Sequence, residues 1–209
     1  MNLKQEKSRR RSPSQNRSKE RVEVILQAVK ELIEEQGISN LKITEIASRA
    51  NTSPSSLYQY FADKDTMVQS LAQQFMAQIH TIVEKHAQNL QSFDDLEKVL
   101  SENFDDIYAL HKNESALQQI WSDSINKDLI NLATYDSTLK ADKMYLQVRK
   151  VAKPKDEAQL KQFILLMSIQ LSSIMRMCFC GNFGTPEQFK KIFVENVILW
   201  MKEYTVPIK

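Results

Sequence analysis

Residues 53–65 read SPSSLYQYFADKD and carry the strongest local signal in the sequence. The opening Ser-Pro pair is typical of a helix start, because serine caps a first turn and proline suits the first helical position. The helix is expected to last only about two turns, because Asp63 begins a second start signal. So short a helix needs anchoring by its neighbours, and Leu57 and Phe61, four residues apart, supply an apolar face for it.

The remaining surface of this short helix is small, polar and aromatic. It carries Pro54, Ser55, Ser56, Tyr58, Gln59 and Tyr60. Serine and tyrosine hydroxyls can bond phosphates, and the amide of Gln59 has the donor and acceptor geometry to read an adenine edge. The N–H groups and dipole at a helix start also favour phosphate. The set suits a helix that reads DNA, and a purely structural helical hairpin is the alternative.

Two further helices are expected before this segment. Apolar residues recur at helical spacing from Lys19 to Gly37, and ITEIASRA at 43–50 indicates a shorter helix. Gly37 is placed to end the first helix in a left-handed cap, and Asn51 tolerates a left-handed turn. Three helices with a tight turn between the last two form a helix-turn-helix arrangement.

These positions together resemble the TetR (TetR/AcrR) family of transcriptional regulators. The resemblance runs from about Glu20 to Leu71 and is carried by Ile25, Ala28, Leu32, Gly37, Ile43, Ile46, Ala47, Ala50, Ser53, Leu57, Tyr58, Tyr60, Phe61 and Lys64. It implies a three-helix DNA-binding head, a larger helical ligand-binding body and a homodimer formed through the last two helices. We therefore predict a disordered basic arm (1–19), a helix-turn-helix DNA-binding domain (20–63) and a helical ligand-binding and dimerisation domain (64–209).

The resemblance also implies roles for single residues at the DNA. Ser55, Ser56 and Tyr58 would lie near base edges in the major groove, and Tyr60 and Lys64 resemble phosphate contacts. Thr44 would reach the groove or a phosphate. Lys42 replaces the Thr or Ser that often caps the second helix, and an ionic contact is expected there. The predicted DNA-binding set is Lys42, Thr44, Ser53, Pro54, Ser55, Ser56, Tyr58, Gln59, Tyr60 and Lys64.

Charge is distributed unevenly along the chain. Residues 1–21 hold eight Lys or Arg side chains against two Glu, a net of +6, although the whole chain carries only +2. A basic tail on a slightly acidic body indicates a polyanionic partner at one end. The tail could instead only add solubility, or could lie in the minor groove. Of its DNA roles we favour a salt-dependent affinity without sequence preference.

The body is expected to be entirely helical. Three glycines and five prolines in 209 residues leave few helix breakers, and no run of alternating β-branched residues indicates a strand. The last two helices are apolar around much of their circumference, which indicates burial against a second chain or in a larger monomeric core. The predicted dimer-interface residues are Leu171, Ile174, Met175, Phe193, Val197, Trp200 and Met201.

Polar and aromatic residues of the middle helices could line a pocket for an unknown small-molecule inducer. The predicted pocket residues are His80, Phe104, Tyr108, His111, Trp121, Tyr145, Met167 and Gln170. They form no recognisable catalytic or metal-binding constellation, so we predict a regulator without enzymatic activity, metal or cofactor. The helical adaptor that dimerises without reading DNA is the rival function.

The expected location is the cytoplasm, without a membrane. The apolar run at 163–175 is shorter than the roughly 18–20 residues that a membrane span needs. Cys178 and Cys180, two residues apart, fit neither a disulfide framework nor a four-ligand zinc site. The predicted partners are therefore an operator in double-stranded DNA, the inducer and a second copy of the chain.

Overall fold

The computed structural model describes residues 13–122, 127–179 and 183–208. These residues form an all-α fold, as predicted, with a two-stranded ribbon added. The helices are α1 (Pro13–Gln36), α2 (Ile43–Arg49), α3 (Pro54–Leu57), α4 (Lys64–Ala87), α5 (Leu96–Asn113), α6 (Ser115–Ser122), α7 (Lys127–Val151), α8 (Glu157–Phe179) and α9 (Pro186–Tyr204). Short 3₁₀ turns lie at Ile38–Asn40 and Phe93–Asp95. The chain divides into two compact units, Met1–Leu71 and Ala72–Lys209.

The N-terminal unit has its own apolar core. Its fully buried side chains come from α1, α2, α3 and the start of α4, and they include Ile25, Val29, Ile33, Ile46, Leu57 and Met67. Leu57 and Phe61, predicted to anchor the short third helix, are 0% and 5% exposed. The anchoring role expected from their four-residue spacing is therefore confirmed.

The two turns of this unit use backbone conformations that few residues adopt. Asn51 has φ 49°, so the left-handed turn expected after α2 is present. Arg21 on α1 donates to the Asn51 carbonyl at 3.0 Å and so holds this turn against the first helix. Gly37 has φ 85° and ψ 157°, which lies in a region open almost only to glycine. The positive φ was expected, but the ψ differs from that of a left-handed helix cap.

The start of α1 differs from the expected arm. Helix α1 begins at Pro13, so residues 13–19 are helical; proline is well suited to a first turn. The rest of the arm, residues 1–12, lies outside the described residues. The two compact units divide after Leu71, eight residues later than the boundary expected after Asp63.

The C-terminal unit is a bundle in which α7 packs along α8, while α5 and α8 pack against α9. Its core contains Phe104, whose ring lies 6.4 Å from that of Phe193. The predicted start of α9 is confirmed: Thr185 caps the helix, Pro186 opens it, and Gln188 completes a reciprocal capping box. Cys178 is a half-buried free thiol, and Cys180 lies outside the described residues.

A two-stranded antiparallel ribbon was not expected from the sequence. Strands β1 (Ala152–Pro154) and β2 (Thr205–Pro207) pair with Lys153 opposite Val206. Each strand has only three residues, so neither is long enough to show the alternation by which strands are recognised. The ribbon joins the end of α7 to the end of α9 and closes the C-terminal unit.

Helix α8 meets the length and hydropathy of a membrane span, with 23 residues and a mean hydropathy of 1.4 over its most apolar window. The sequence expectation considered only the run at 163–175 and so missed this. One such helix is weak evidence for a membrane span, because core helices have the same composition. Only 22% of the window is buried in the single chain, and several of its apolar side chains are exposed.

Candidate nucleic-acid interface and ligand cavity

Helix α3 is a single turn whose start is fixed by Ser53. The Ser53 Oγ accepts the backbone N–H of Ser56 at 3.2 Å and lies 2.9 Å from the hydroxyls of Ser55 and Ser56. The capping that the sequence predicts is therefore present. The chain continues past Leu57 with tighter bonds, such as Tyr60 N–H to the Leu57 carbonyl at 2.9 Å, so the helix is shorter than expected.

The residues predicted to bind DNA all lie in the N-terminal unit, and none of them is buried. The exposed ones are Lys42, Thr44, Ser53, Pro54, Ser55, Tyr58, Gln59 and Tyr60, and the half-buried ones are Ser56 and Lys64. Tyr58 is 54% exposed and Tyr60 36%, which is unusual for large aromatic side chains that serve only a core. The turn thus presents two rings and an amide on one exposed segment.

Helix α4 begins at Lys64 and is capped by Asp63. The Asp63 Oδ1 accepts the backbone N–H of Thr66 and its hydroxyl, each at 2.7 Å. These hydrogen bonds hold the pKa of Asp63 below its usual value. The cap expected from the sequence is confirmed, and it fixes the backbone where Lys64 leaves the turn.

Two ion pairs tie α2 to its surroundings. Arg49 donates to Glu35 of α1 through two parallel bonds, Nη1–Oε1 at 2.5 Å and Nη2–Oε2 at 2.7 Å, which lower the pKa of Glu35. The Lys42 Nζ lies 3.0 Å from Glu45 Oε1. A hydrogen bond from Gln36, and then that of Lys42, lowers the pKa of Glu45. The sequence did not indicate the Arg49–Glu35 pair, because its partners are 14 residues apart.

A cavity of about 320 Å³ lies within the C-terminal unit. Its wall is formed by α4 to α9 and is mostly aliphatic and methionine-rich. Of the eight predicted pocket residues, His111, Trp121 and Met167 line it. Among the described residues, the wall does not include His80, Phe104, Tyr108, Tyr145 or Gln170.

The reasons for these exclusions are visible in the packing. Phe104 is 1% exposed and packs on Phe193, and the ring of Tyr108 stacks on Phe179 at 5.2 Å. Tyr145 is buried with the ammonium of Lys161 4.8 Å from its ring centre. Gln170 is half-buried. Helical spacing predicts a face for each residue but does not separate cavity wall from packed core.

The cavity has one polar region that the sequence did not predict. The Asp136 Oδ2 lies 2.8 Å from Lys140 Nζ, and Asp136 Oδ1 lies 2.6 Å from His80 Nε2 on α4. Asp136 and Lys140 line the cavity and are buried, whereas His80 lies behind Asp136. Asp136 and Lys140 are one turn apart on α7, a spacing that is common for ion pairs on exposed helix surfaces. Only the fold shows that this pair faces the cavity.

The predicted dimer face needs correction. Five of its seven residues, Ile174, Met175, Phe193, Val197 and Met201, are buried in the chain's own core. Leu171 is half-buried and lines the cavity, and only Trp200 is exposed. A helix that is apolar on both sides does not show by its sequence which side faces the core. In α8 and α9 the side predicted to contact a second chain packs in the core of the same chain.

Comparison with known proteins agrees with this fold. Residues 25–71 match the model of the family described as bacterial regulatory proteins, tetR family. These residues therefore carry the DNA-binding domain of tetR-family transcriptional regulators. Regulators of this family bind DNA and small-molecule ligands, act as dimers and are generally not enzymes.

Solved structures of low sequence identity share the fold. A TetR-family regulator from Mesorhizobium loti is 18% identical, with 91% of this chain and 99% of that one covered and a TM-score of 0.65. The repressor AlkX from Dietzia sp. is 14% identical, covering 88% and 96%, with a TM-score of 0.58. FadR from Bacillus subtilis, solved with stearoyl-CoA, is 18% identical, covering 84% and 97%, with a TM-score of 0.59. No curated protein sequence matches this chain.

Proposed function

We propose that this protein is a repressor that binds a palindromic operator as a homodimer and leaves it when a small molecule occupies the cavity. The DNA-binding part of the proposal rests on the separation of buried from exposed side chains within residues 53–64. Leu57 and Phe61 are buried, while Tyr58, Gln59 and Tyr60 are exposed on one short turn. An exposed turn of this composition has hydroxyls for phosphates and an amide for a base edge.

The predicted DNA-binding residues differ in the side-chain interactions that they would lose on binding DNA. Tyr58, Gln59 and Thr44 are exposed, and no hydrogen bond of their side chains to another described residue is seen. Lys42 is paired with Glu45 on the surface, so a phosphate would replace an exposed ion pair, which costs little. The serine hydroxyls contact one another, and each can rotate toward a phosphate or base without moving the backbone.

The ligand-release part rests on the cavity and on the continuity of α4. This helix begins at Lys64, and its later residues Met76, Ile79 and Val83 line the cavity. A ligand that displaces these side chains acts on the helix that carries a predicted phosphate contact. The FadR fold was solved with stearoyl-CoA, which supports ligand binding in a fold of this kind. The ligand shifts operator affinity by its preference for one of the two states of the regulator.

The dimer part rests on exposed apolar side chains of the last two helices. Leu166, Ile169 and Met177 are exposed on α8, at spacings that keep them on one side of the helix. Leu199 is 64% exposed on α9, seven residues after the exposed Ile192. These residues replace the buried ones predicted from the sequence. A two-fold pairing of such faces buries apolar area and presents two recognition turns to a palindrome.

Genome-wide footprinting followed by binding to the site found tests this proposal. Fluorescence anisotropy with that duplex should show tight binding that weakens steeply as salt rises. Tyr58→Ala should weaken binding about fivefold or more, because a good base contact contributes roughly 1–3 kcal/mol. Tyr135→Ala is the matched control, since Tyr135 is 64% exposed on α7 in the other unit.

Two results would contradict the proposal. If no duplex is bound in a salt-dependent way, the protein does not act by binding DNA, and the helical adaptor becomes the favoured function. If Tyr58→Ala and Tyr135→Ala weaken binding equally, residues 53–64 are not the reading segment. Melting temperatures of both variants must match the wild type for either comparison to count.

A further inference from the structure

The polar region of the cavity limits the chemistry of the ligand. Most of the wall is apolar, and it includes five methionines, whose flexible side chains adapt to varied shapes. A cavity of about 320 Å³ is within the usual range for small-molecule sites. The body of the ligand is therefore apolar, and its polar groups are selected by the few polar atoms in the wall.

One of these atoms is a hydrogen-bond acceptor on His111. The Nδ1 of His111 lies 2.9 Å from the Ile107 carbonyl, which only accepts, so Nδ1 carries the ring proton. Burial lowers the pKa of His111, and the charge of Lys140 lowers it further. The ring is thus neutral near pH 7, and its Nε2 is an acceptor on a side chain that lines the cavity.

A second polar group of the wall is the ammonium of Lys140, a donor; the wall also holds Asn103, whose buried Oδ1 has no hydrogen-bond partner among the described residues. The Lys140 ammonium has three N–H groups, and Asp136 is its one ion-pair partner among the described residues. The remaining N–H groups are available to a molecule in the cavity. Because Asp136 neutralises Lys140, this buried pair has no net charge to offer an anion.

We infer that the cavity takes a mainly apolar molecule with one neutral hydroxyl group, whose O–H donates to His111 Nε2 while its oxygen accepts from Lys140 Nζ. A carboxylate could not donate to Nε2, and the one unpaired cation of the described wall, Arg176, is exposed and not buried beside His111 and Lys140. A hydrocarbon would leave His111 Nε2 and the remaining N–H groups of Lys140 without a hydrogen bond. This inference rests on the proposed function only in taking the cavity as the ligand site.

Three probes of one shape test the inference by calorimetry on the protein without DNA: 4-pentylphenol, pentylbenzene and 4-pentylbenzoate. At pH 7.5 the phenol is neutral and the benzoate is charged. The phenol should bind at least about tenfold more tightly than either of the others, because the hydrogen bonds to buried polar groups are lost without the hydroxyl. His111→Leu should remove the preference of phenol over pentylbenzene. Met167→Leu, a cavity-wall control, should keep it.

Equal binding of the three probes, or tightest binding of the benzoate, would overturn the inference. The wild-type ranking decides this even where His111→Leu does not fold. Operator release is measured separately with the same probes. Selective phenol binding without release contradicts the proposed ligand response and leaves this inference standing. If another compound releases the operator and the phenol is not bound selectively, the proposed ligand response stands and this inference is contradicted.

Discussion

Asp136 and Lys140 form an ion pair inside the C-terminal unit, with Oδ2 and Nζ 2.8 Å apart and the two residues 7% and 9% exposed. Each charge therefore depends on the other, because neither has free access to water. Asp136 also contacts His80, so the pair connects α7 to α4.

Removing one partner of this pair should cost far more than removing both. Asp136→Asn leaves the Lys140 ammonium buried without a counter-charge, and urea unfolding should show a loss of about 3 kcal/mol or more. Asp136→Asn combined with Lys140→Met should recover most of this loss. Glu84→Gln is the control, because the Glu84–Lys143 pair joins the same two helices at the surface and its loss should change stability little. Equal losses in the single and double variants would mean that the pair is not coupled.

His111 should make the C-terminal unit less stable in mildly acidic solution. Burial lowers the pKa of His111 below its usual value and outweighs the opposite effect of the Ile107 hydrogen bond, and the charge of Lys140 adds to the lowering. The unfolded chain therefore binds a proton at a higher pH than the folded chain does. Stability should therefore fall as pH drops below 6.5, by at most about 1.4 kcal/mol per pH unit from this group. Stability is regained as pH rises above 6.5.

Urea unfolding from pH 7.5 to 5.5 measures this dependence. Because other groups titrate in the same window, the slope of the wild type must be compared with that of His111→Gln, which cannot take up a proton. The variant should lose part of the slope. An unchanged slope in a folded variant would show that His111 does not resist protonation.

Sequence predicted the N-terminal unit better than the site in the C-terminal unit. Ser53, Asp63 and Thr185 act through neighbours within three residues, so the caps could be recognised locally. The side of α8 and α9 that faces inward depends on packing with α5 and α7, which no local pattern contains. For the same reason no local pattern distinguishes the buried Asp136–Lys140 pair from a pair on the surface. The two strands have three residues each, too few to show the alternation that predicts a strand.

Gly37 should tolerate no other residue without loss of stability. Its φ of 85° with ψ of 157° is strained for any residue with a Cβ, and the cost of such a conformation is about 1–3 kcal/mol. Gly37→Ala should therefore destabilise the N-terminal unit by that amount in urea unfolding. Ser39→Ala, an exposed position in the following 3₁₀ turn, is the control and should behave as the wild type. If Gly37→Ala is as stable as the control, the turn relaxes to another conformation.

Leu199 should decide whether two chains associate. A charge at this exposed position on α9 would have to be buried on pairing, so Leu199→Glu should shift the mass measured by light scattering from two chains to one. Leu146→Glu is the matched control, because Leu146 is 62% exposed on α7, outside the proposed face, and should leave the dimer intact. The monomeric variant should also bind the operator much more weakly, because each half-site then binds alone. If Leu146→Glu separates the chains and Leu199→Glu does not, the dimer uses α7, and the exposed apolar residues of α8 and α9 have another role.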